Sequence, residues 1–133
     1  MPIFRYNDRH NVYYELYGPE GAPVVSIVNG LSMRTSHWAP YFSLLPQAGV
    51  RVLSYDMLGQ GQSSKPILGV SFEDHARMLK ALHDHLGIER PFVMGISFGG
   101  VVALKYGVLF ADAVGGLIPV STFSEIDPHL QAH

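Results

Sequence analysis

The sequence contains no cysteine, which excludes disulfide bonds and a thiolate nucleophile. Charge is scarce too: charged residues make up 15% of the 133 residues, the net charge is −2 at pH 7, and no basic run occurs. This balance argues against nucleic acid and anionic membranes as partners. Because 47% of the residues are hydrophobic, we expect a globular chain with a substantial core and not a disordered one.

Long apolar runs are absent from the sequence as well. Residues Met1–Arg5 lack the apolar stretch of a secretory signal peptide, and no apolar run reaches the roughly 20 residues needed to cross a bilayer. We therefore predict a cytoplasmic protein. With no cysteine and no dense cluster of acidic residues, neither a metal site nor a cofactor is predicted.

Short apolar runs alternate with helix-length segments along the chain. Residues 3–7 and 11–17 are strand-like and are joined by a polar turn, which predicts an antiparallel hairpin. Further strands are predicted over Pro23–Val28, Val50–Tyr55, Pro91–Met94 and Gly115–Val120, and helices over Trp38–Gln47, Phe72–Leu86 and Val101–Phe110. This order predicts an α/β fold with a mostly parallel sheet behind the N-terminal antiparallel hairpin.

Three residues predict the start of a helix, its end, and the position of a strand in the sheet. Ser71, followed by Asp74, has the spacing of a helix capping box, and Gly87 is a typical helix stop. Pro119 has no N–H to donate to a neighbouring strand, so the strand that contains it is predicted to be at a sheet edge or locally bulged.

The stretch Pro91–Gly100 carries the clearest chemical signal. Its apolar strand stops at Gly95-Ile96-Ser97-Phe98-Gly99, and an apolar helix-length run follows at once. Strand, G-x-S-x-G and helix together are typical of a nucleophile elbow. We expect Ser97 to adopt strained backbone angles, which the missing Cβ atoms of Gly95 and Gly99 permit. Its hydroxyl would then lie above the sheet, at the positive end of the following helix.

Two further motifs follow predicted strands: Asn29-Gly30, and Asp56-x-x-Gly59-x-Gly61-x-Ser63. In order and spacing, these two motifs and the elbow resemble the N-terminal half of an α/β-hydrolase. The resemblance covers essentially the whole chain and implies a partial α/β-hydrolase fold. It departs from the family at two positions, since Asn29 replaces the usual histidine and Leu58 replaces a frequent arginine. An asparagine at this position of the motif resembles the enol-lactonase and acyl-transfer branches of the family.

The resemblance also implies roles for individual residues. Ser97 would be the nucleophile, and the backbone N–H groups of Leu31 and Phe98 would form the oxyanion hole. Neither departure from the family affects these backbone donors. The residues expected to line the substrate site are Asn29, Gly30, His37, Trp38 and Phe98. Asp56 is expected to hold its own loop through side-chain-to-backbone hydrogen bonds.

A general base and an orienting acid are still needed for this chemistry. In the family both follow the serine in the chain, yet only thirteen residues follow Val120. We therefore expect residues 1–133 to be the N-terminal part of a hydrolase domain, inactive by itself, whose cap and C-terminal part lie outside this chain.

The histidines offer no clear substitute for that base. His75, His83 and His85 are expected to be surface or packing residues, far from the carboxyl ends of the strands. His10 lies in the hairpin turn, at a sheet end that the sequence does not assign. His129 is in the polar tail.

These expectations combine into a serine hydrolase acting on an ester, lactone or related small acyl substrate. An acyltransferase or a C–C bond hydrolase on the same scaffold stays open, because the fold does not choose among these reactions. A different class also stays open: a non-catalytic fragment or assembly subunit whose exposed sheet edge pairs with a second polypeptide or with another copy of itself.

Overall fold

The computed structural model describes residues 3–7, 9–30, 49–65 and 69–120. The strands in these ranges are β1 (Ile3–Arg5), β2 (Asn11–Tyr17), β3 (Val24–Val28), β4 (Arg51–Tyr55), β5 (Phe92–Ile96) and β6 (Gly116–Val120). The helices are α1 (Phe72–Leu86) and α2 (Phe98–Leu109), followed by a short 3-10 turn (Ala111–Ala113). The helix predicted over Trp38–Gln47 and the tail from residue 121 lie outside the described residues.

The six described strands form one mixed sheet in the order β1-β2-β4-β3-β5-β6. Strands β1 and β2 form the antiparallel hairpin, and β2 pairs antiparallel with β4. The remaining pairs are all parallel. The predicted α/β fold with an N-terminal hairpin is therefore confirmed.

The direction of β2 decides which end of the sheet holds the hairpin turn. Tyr14 pairs with Tyr55, so the start of β2 lies beside the carboxyl end of β4. Because parallel strands end at one edge of a sheet, His10 lies at the same end as the residues that follow β3, β4 and β5. The sequence alone left this placement open.

Helix α1 has the caps that its sequence predicts. The Ser71 hydroxyl accepts a hydrogen bond from the Asp74 backbone N–H at 3.0 Å. Gly87 ends the helix in the left-handed conformation, with φ 71°. Between these caps an apolar face is buried against the sheet and α2, formed by Ala76, Met78, Leu79 and Leu82.

Strand β6 lies at one edge of the described sheet, which is one of the two placements predicted from Pro119. Large apolar side chains on and beside it remain in contact with solvent: Ile118 and Val120 are 41% and 39% exposed, and Phe92 is 39% exposed. Within the described ranges, no helix is both long and apolar enough to cross a membrane.

Candidate active site

Ser97 is the single residue between the end of β5 and the start of α2. Its backbone has φ 53° and ψ −112°, and it is the one non-glycine residue with a positive φ in the described part of the chain. Such a conformation costs about 1–3 kcal/mol for a residue with a side chain. The strained turn predicted at Ser97 is present, and the residue is exposed at the carboxyl end of the sheet.

The glycines on either side of Ser97 are required by close backbone packing. A Cβ atom on Gly95 would overlap the carbonyl oxygen of Gly99. A Cβ on Gly99 would overlap the carbonyl oxygen of Val28, at the end of β3. The start of α2 therefore lies directly against the strand that leads into Asn29, and only glycine allows this approach.

Backbone hydrogen bonds hold the turn on its other side. The Ser97 N–H donates to the carbonyl of Val120 at 3.0 Å, which ties the elbow to the last residue of β6. The Ser97 carbonyl accepts from the N–H of Gly100 at 2.9 Å, as the first bond of α2. The conformation of the serine thus depends on an edge strand.

Phe98 contributes both a backbone group and a side chain. Phe98 is the first residue of α2. The backbone N–H groups of the first helical turn have no acceptor within the helix, and they lie at the positive end of the helix dipole. The ring of Phe98 packs against the first turn of α1, 4.8 Å from the ring of Phe72 and edge-on to that of His75 at 5.7 Å. The predicted role of this ring as a pocket wall stays a prediction.

The residues after β3 are buried where they are described. The Asn29 side-chain amide donates to the carbonyl of Tyr55 at 3.1 Å, which joins the carboxyl ends of β3 and β4. Gly30 is buried beside it. Leu31, His37 and Trp38 lie outside the described residues, so the second oxyanion donor and the predicted entrance residues stay predictions.

The loop after β4 is held by its own side chains. The Asp56 carboxylate accepts from the Gln62 backbone N–H at 2.9 Å, and a Cβ on Gly61 would overlap that carboxylate. Asp56 therefore has the loop-holding role expected of it.

Two serines of this loop attach it to the hairpin, a contact that the sequence did not reveal. The Ser63 hydroxyl donates to the Asp56 carbonyl and accepts from the Tyr13 N–H at 2.9 Å. The Ser64 hydroxyl accepts from the Asn11 N–H at 2.7 Å. The loop after β4 is thereby fixed against β2 at the same end of the sheet as Ser97.

His83 is fully buried and joins three elements. Its Nε2 lies 2.7 Å from the hydroxyl of Ser26 on β3, and its Nδ1 lies 2.9 Å from the hydroxyl of Tyr106 on α2. Burial lowers the pKa of His83 to about 3, so the imidazole is neutral at pH 7 and donates at one nitrogen while it accepts at the other. The expectation of a packing residue is confirmed, but its two partners were missed.

The placement predicted for His75 is wrong in one respect. This histidine belongs to the first turn of α1 and touches Phe98, so it lies close to the elbow and not far from it. It is 4% exposed, and burial lowers its pKa below the ordinary value. His85 is exposed, with its ring 4.8 Å from that of Phe4. In the described ranges, no group of three or more histidine, aspartate or glutamate side chains could hold a metal ion.

The elbow, the buried strand ends and the tethered loop lie together at the carboxyl end of a mostly parallel sheet. A family profile described as the alpha/beta hydrolase fold matches residues 23–132. The chain belongs to the alpha/beta hydrolase fold family. The resemblance read from the three motifs is therefore confirmed.

Known proteins with related sequences and structures extend this result. A candidate carbamate hydrolase, RutD, from Stutzerimonas stutzeri is 35% identical over 121 residues, which are 89% of this chain and 45% of that protein. An alpha/beta hydrolase enzyme from a Medee basin deep-sea metagenome library superposes with a TM-score of 0.90 at 28% identity, over 98% of this chain and 48% of the other. The enol-lactonase from Burkholderia xenovorans gives a TM-score of 0.79 at 28% identity, over 87% and 45%.

These relatives are about twice as long as the part that they share with this chain. The chain spans about half the length of the curated relatives it matches. Their names describe hydrolytic enzymes.

Proposed function

We propose that this alpha/beta hydrolase chain carries the nucleophile of a serine hydrolase that acts on an ester, a lactone or a related small acyl substrate. The observation that carries the proposal is the backbone of Ser97, a non-glycine residue held at φ 53° between strand β5 and the N-terminus of helix α2. Strain of this kind is retained where a function requires the side chain to be presented. The similarity to an enol-lactonase supports an acyl substrate.

In the proposed reaction the Ser97 hydroxyl attacks the substrate carbonyl carbon and gives its proton to the base, which passes it to the alcohol oxygen as the ester bond breaks; the products are an acyl-enzyme and the alcohol. Water then attacks the same carbon, its proton passes through the base to the Ser97 oxygen, and the bond from that oxygen to the acyl carbon breaks to release the acid. Each tetrahedral intermediate places negative charge on one oxygen, which the N–H groups of Phe98 and Leu31 would stabilise. A donor of this kind lowers the barrier by about 3–4 kcal/mol. The substrate would lie against residues 29–30, His37, Trp38 and the ring of Phe98.

We further propose that the base and acid come from polypeptide outside residues 1–133, so that this chain alone does not turn over substrate. The support is that the chain spans only about half of its relatives. In this reading residues 1–133 form the N-terminal part of a cytoplasmic hydrolase domain. The exposed apolar side chains of β6 favour a second candidate function, an assembly subunit that pairs with another chain without catalysis.

The test is covalent labelling with a fluorophosphonate, read by intact mass and peptide mapping. The chain is labelled alone and after mixing with the C-terminal half of the Stutzerimonas stutzeri relative, and Ser97→Ala is the control. We expect one adduct on Ser97 in the mixture, little in the isolated chain and none in S97A. An adduct on another serine, or none in either sample, would refute the serine-hydrolase proposal.

A further inference from the structure

A cavity of about 280 Å³ lies at the amino end of the sheet, the end opposite Ser97. Its walls are the turn before β3, the start of β4 and the segment that joins α1 to β5. Two arginines line it, Arg51 and Arg90, and they lie on either side of β3 because β4 and β5 are its neighbours in the sheet. Neither arginine takes part in the chemistry proposed for Ser97.

Packing holds Arg51 at this cavity. It pairs with Val24 on β3, and its backbone N–H donates to the Pro23 carbonyl at 2.8 Å. A Cβ on Gly18 would come within 2.8 Å of the Arg51 Cα and 3.2 Å of its Cγ, so the arginine stem lies directly against that glycine. Leu53, two residues further along β4, is buried in the core under α1. The Arg51 side chain therefore lies on the same face of the sheet, below the end of α1.

The Arg51 guanidinium has a donor without an acceptor. Its Nε is buried and has no hydrogen-bond partner among the described residues. In the same ranges, Arg51 forms no ion pair with an aspartate or a glutamate. A charged donor that leaves water without gaining an acceptor destabilises the fold. An anion bound in the cavity would supply that acceptor.

Arg90 can supply further donors to the same anion. Its guanidinium makes a long hydrogen bond at the exposed surface, from Nη2 to the Val114 carbonyl at 3.4 Å. A hydrogen bond of this length is weak, so the guanidinium is free to turn toward the cavity that it lines. Arginine presents its N–H donors in a planar fork that matches two oxygens of a carboxylate or a phosphate.

The charges around the cavity favour an anion. Arg51 and Arg90 each carry a full positive charge. The opposing charges are the exposed carboxylate of Glu89 and the C-terminal end of α1, whose partial charge is about −0.5. The balance is positive. Because the volume is just below the roughly 300–1,000 Å³ of sites for drug-sized ligands, the anion that fits is small.

We propose that Arg51 and Arg90 form a binding site for a small oxyanion that presents a phosphate or a carboxylate group. The Nε of Arg51 and one of its Nη groups would donate to two oxygens, and the Arg90 guanidinium would donate from the other side of β3. Because the anion binds the folded chain, it also stabilises that chain against unfolding. The inference does not depend on the serine-hydrolase proposal, since the site lies at the other end of the sheet from Ser97.

The test is a titration of the full 133-residue chain, followed by the NMR signals of the arginine Nε–H groups and of the backbone amides of residues 87–90. Inorganic phosphate is added in one series and malonate in another, and sodium chloride at matched ionic strength is the reference. We expect the Arg51 Nε–H signal to shift saturably with phosphate or malonate, with a dissociation constant of about 1 mM, and not with chloride. The series with the lower dissociation constant identifies the preferred group.

Three variants assign the binding to the two arginines. Arg90→Gln should weaken binding at least about fivefold, and Arg51→Lys, which keeps the charge but removes the fork, at least about tenfold. Arg9→Gln is the matched control, because Arg9 is exposed in the hairpin turn at the other end of the sheet, and it should bind like the natural chain.

Three results would each overturn the proposal: no shift with either anion, equal shifts with chloride, or equal losses in R9Q and R90Q. Unchanged binding by folded R51K would overturn the role of the Arg51 fork. Since Arg90 is exposed, R90Q decides the test even if R51K does not fold.

Discussion

His83 makes the stability of this protein sensitive to mild acid. Its pKa is about 3 in the folded chain, and the ordinary value is 6.5. As the pH falls below 6.5, the unfolded chain takes up a proton on this imidazole and the folded chain does not. The contribution of the neutral His83 to the free energy of unfolding is therefore fully present above pH 6.5 and is lost progressively down to about pH 3.

The size of the loss follows from the two pKa values. Each pKa unit corresponds to about 1.36 kcal/mol, so preferential protonation of His83 in the unfolded chain costs about 2 kcal/mol by pH 5 and about 4 kcal/mol by pH 3. Since small domains have a total free energy of unfolding of about 5–15 kcal/mol, the effect should be easily measured. Nearby Asp84 raises this pKa and Lys80 lowers it, but burial is the largest cause.

The assay is urea unfolding followed by circular dichroism at several pH values between 7 and 4. His83→Gln removes the titrating group and keeps a donor and an acceptor for Ser26 and Tyr106. It should be less stable at pH 7, by up to about 1–3 kcal/mol, yet its stability should fall less steeply with acid. His85→Gln, an exposed change on the same helix, is the control and should keep the natural slope.

Burial also lowers the pKa of His75, but this histidine is present in all three proteins. The difference between their slopes of stability against pH therefore isolates the effect of His83. The reasoning is refuted if H83Q and the natural chain lose stability in parallel. It is also refuted if NMR shows the His83 ring of the folded chain titrating near 6.5.

Three further predictions concern the backbone, and each is checked by urea unfolding. Ser97→Gly should raise the free energy of unfolding by about 1 kcal/mol, because glycine adopts a positive φ without strain; a loss of stability would contradict the strain. Gly99→Ala should cost about 1–3 kcal/mol or more, since its Cβ would overlap the Val28 carbonyl, whereas Gly69→Ala, with open space around it, should be neutral. Ser71→Ala should cost about 1 kcal/mol through loss of the α1 cap, and an unchanged midpoint would show that the cap is dispensable.

The local features of this chain were predictable because each depends on neighbours in sequence. Ser71 and Asp74 are one helical turn apart, and the strain at Ser97 follows from the glycines two positions away on each side. Pro119 predicted either an edge position or a bulge for β6, because its missing N–H is a property of one residue, and the edge position is the one observed in the described sheet. Such signals act over a few residues and survive any change in the rest of the fold.

Contacts between distant residues were not predictable in the same way. Ser26 and His83 are 57 residues apart, and nothing in the buried strand around Ser26 distinguishes a serine that pairs with an imidazole from one that bonds its own backbone. The Ser63 and Ser64 contacts to β2 span 50 and 53 residues. His75 was misplaced although the predicted parallel crossover already directs the first turn of the helix to the carboxyl ends of the strands.

These distant contacts explain why the elbow cannot be treated as a local motif alone. Gly99 lies against the carbonyl of Val28 on β3, and the Ser97 N–H is held by Val120 on β6. Each contact fixes one side of the same turn, so the position of the serine hydroxyl is set by two strands that flank β5 in the sheet. The β3 side is buried, whereas the β6 side is an edge. A strained turn persists only while its surroundings hold it. The site therefore depends most on β6, which has a single neighbouring strand in the described sheet.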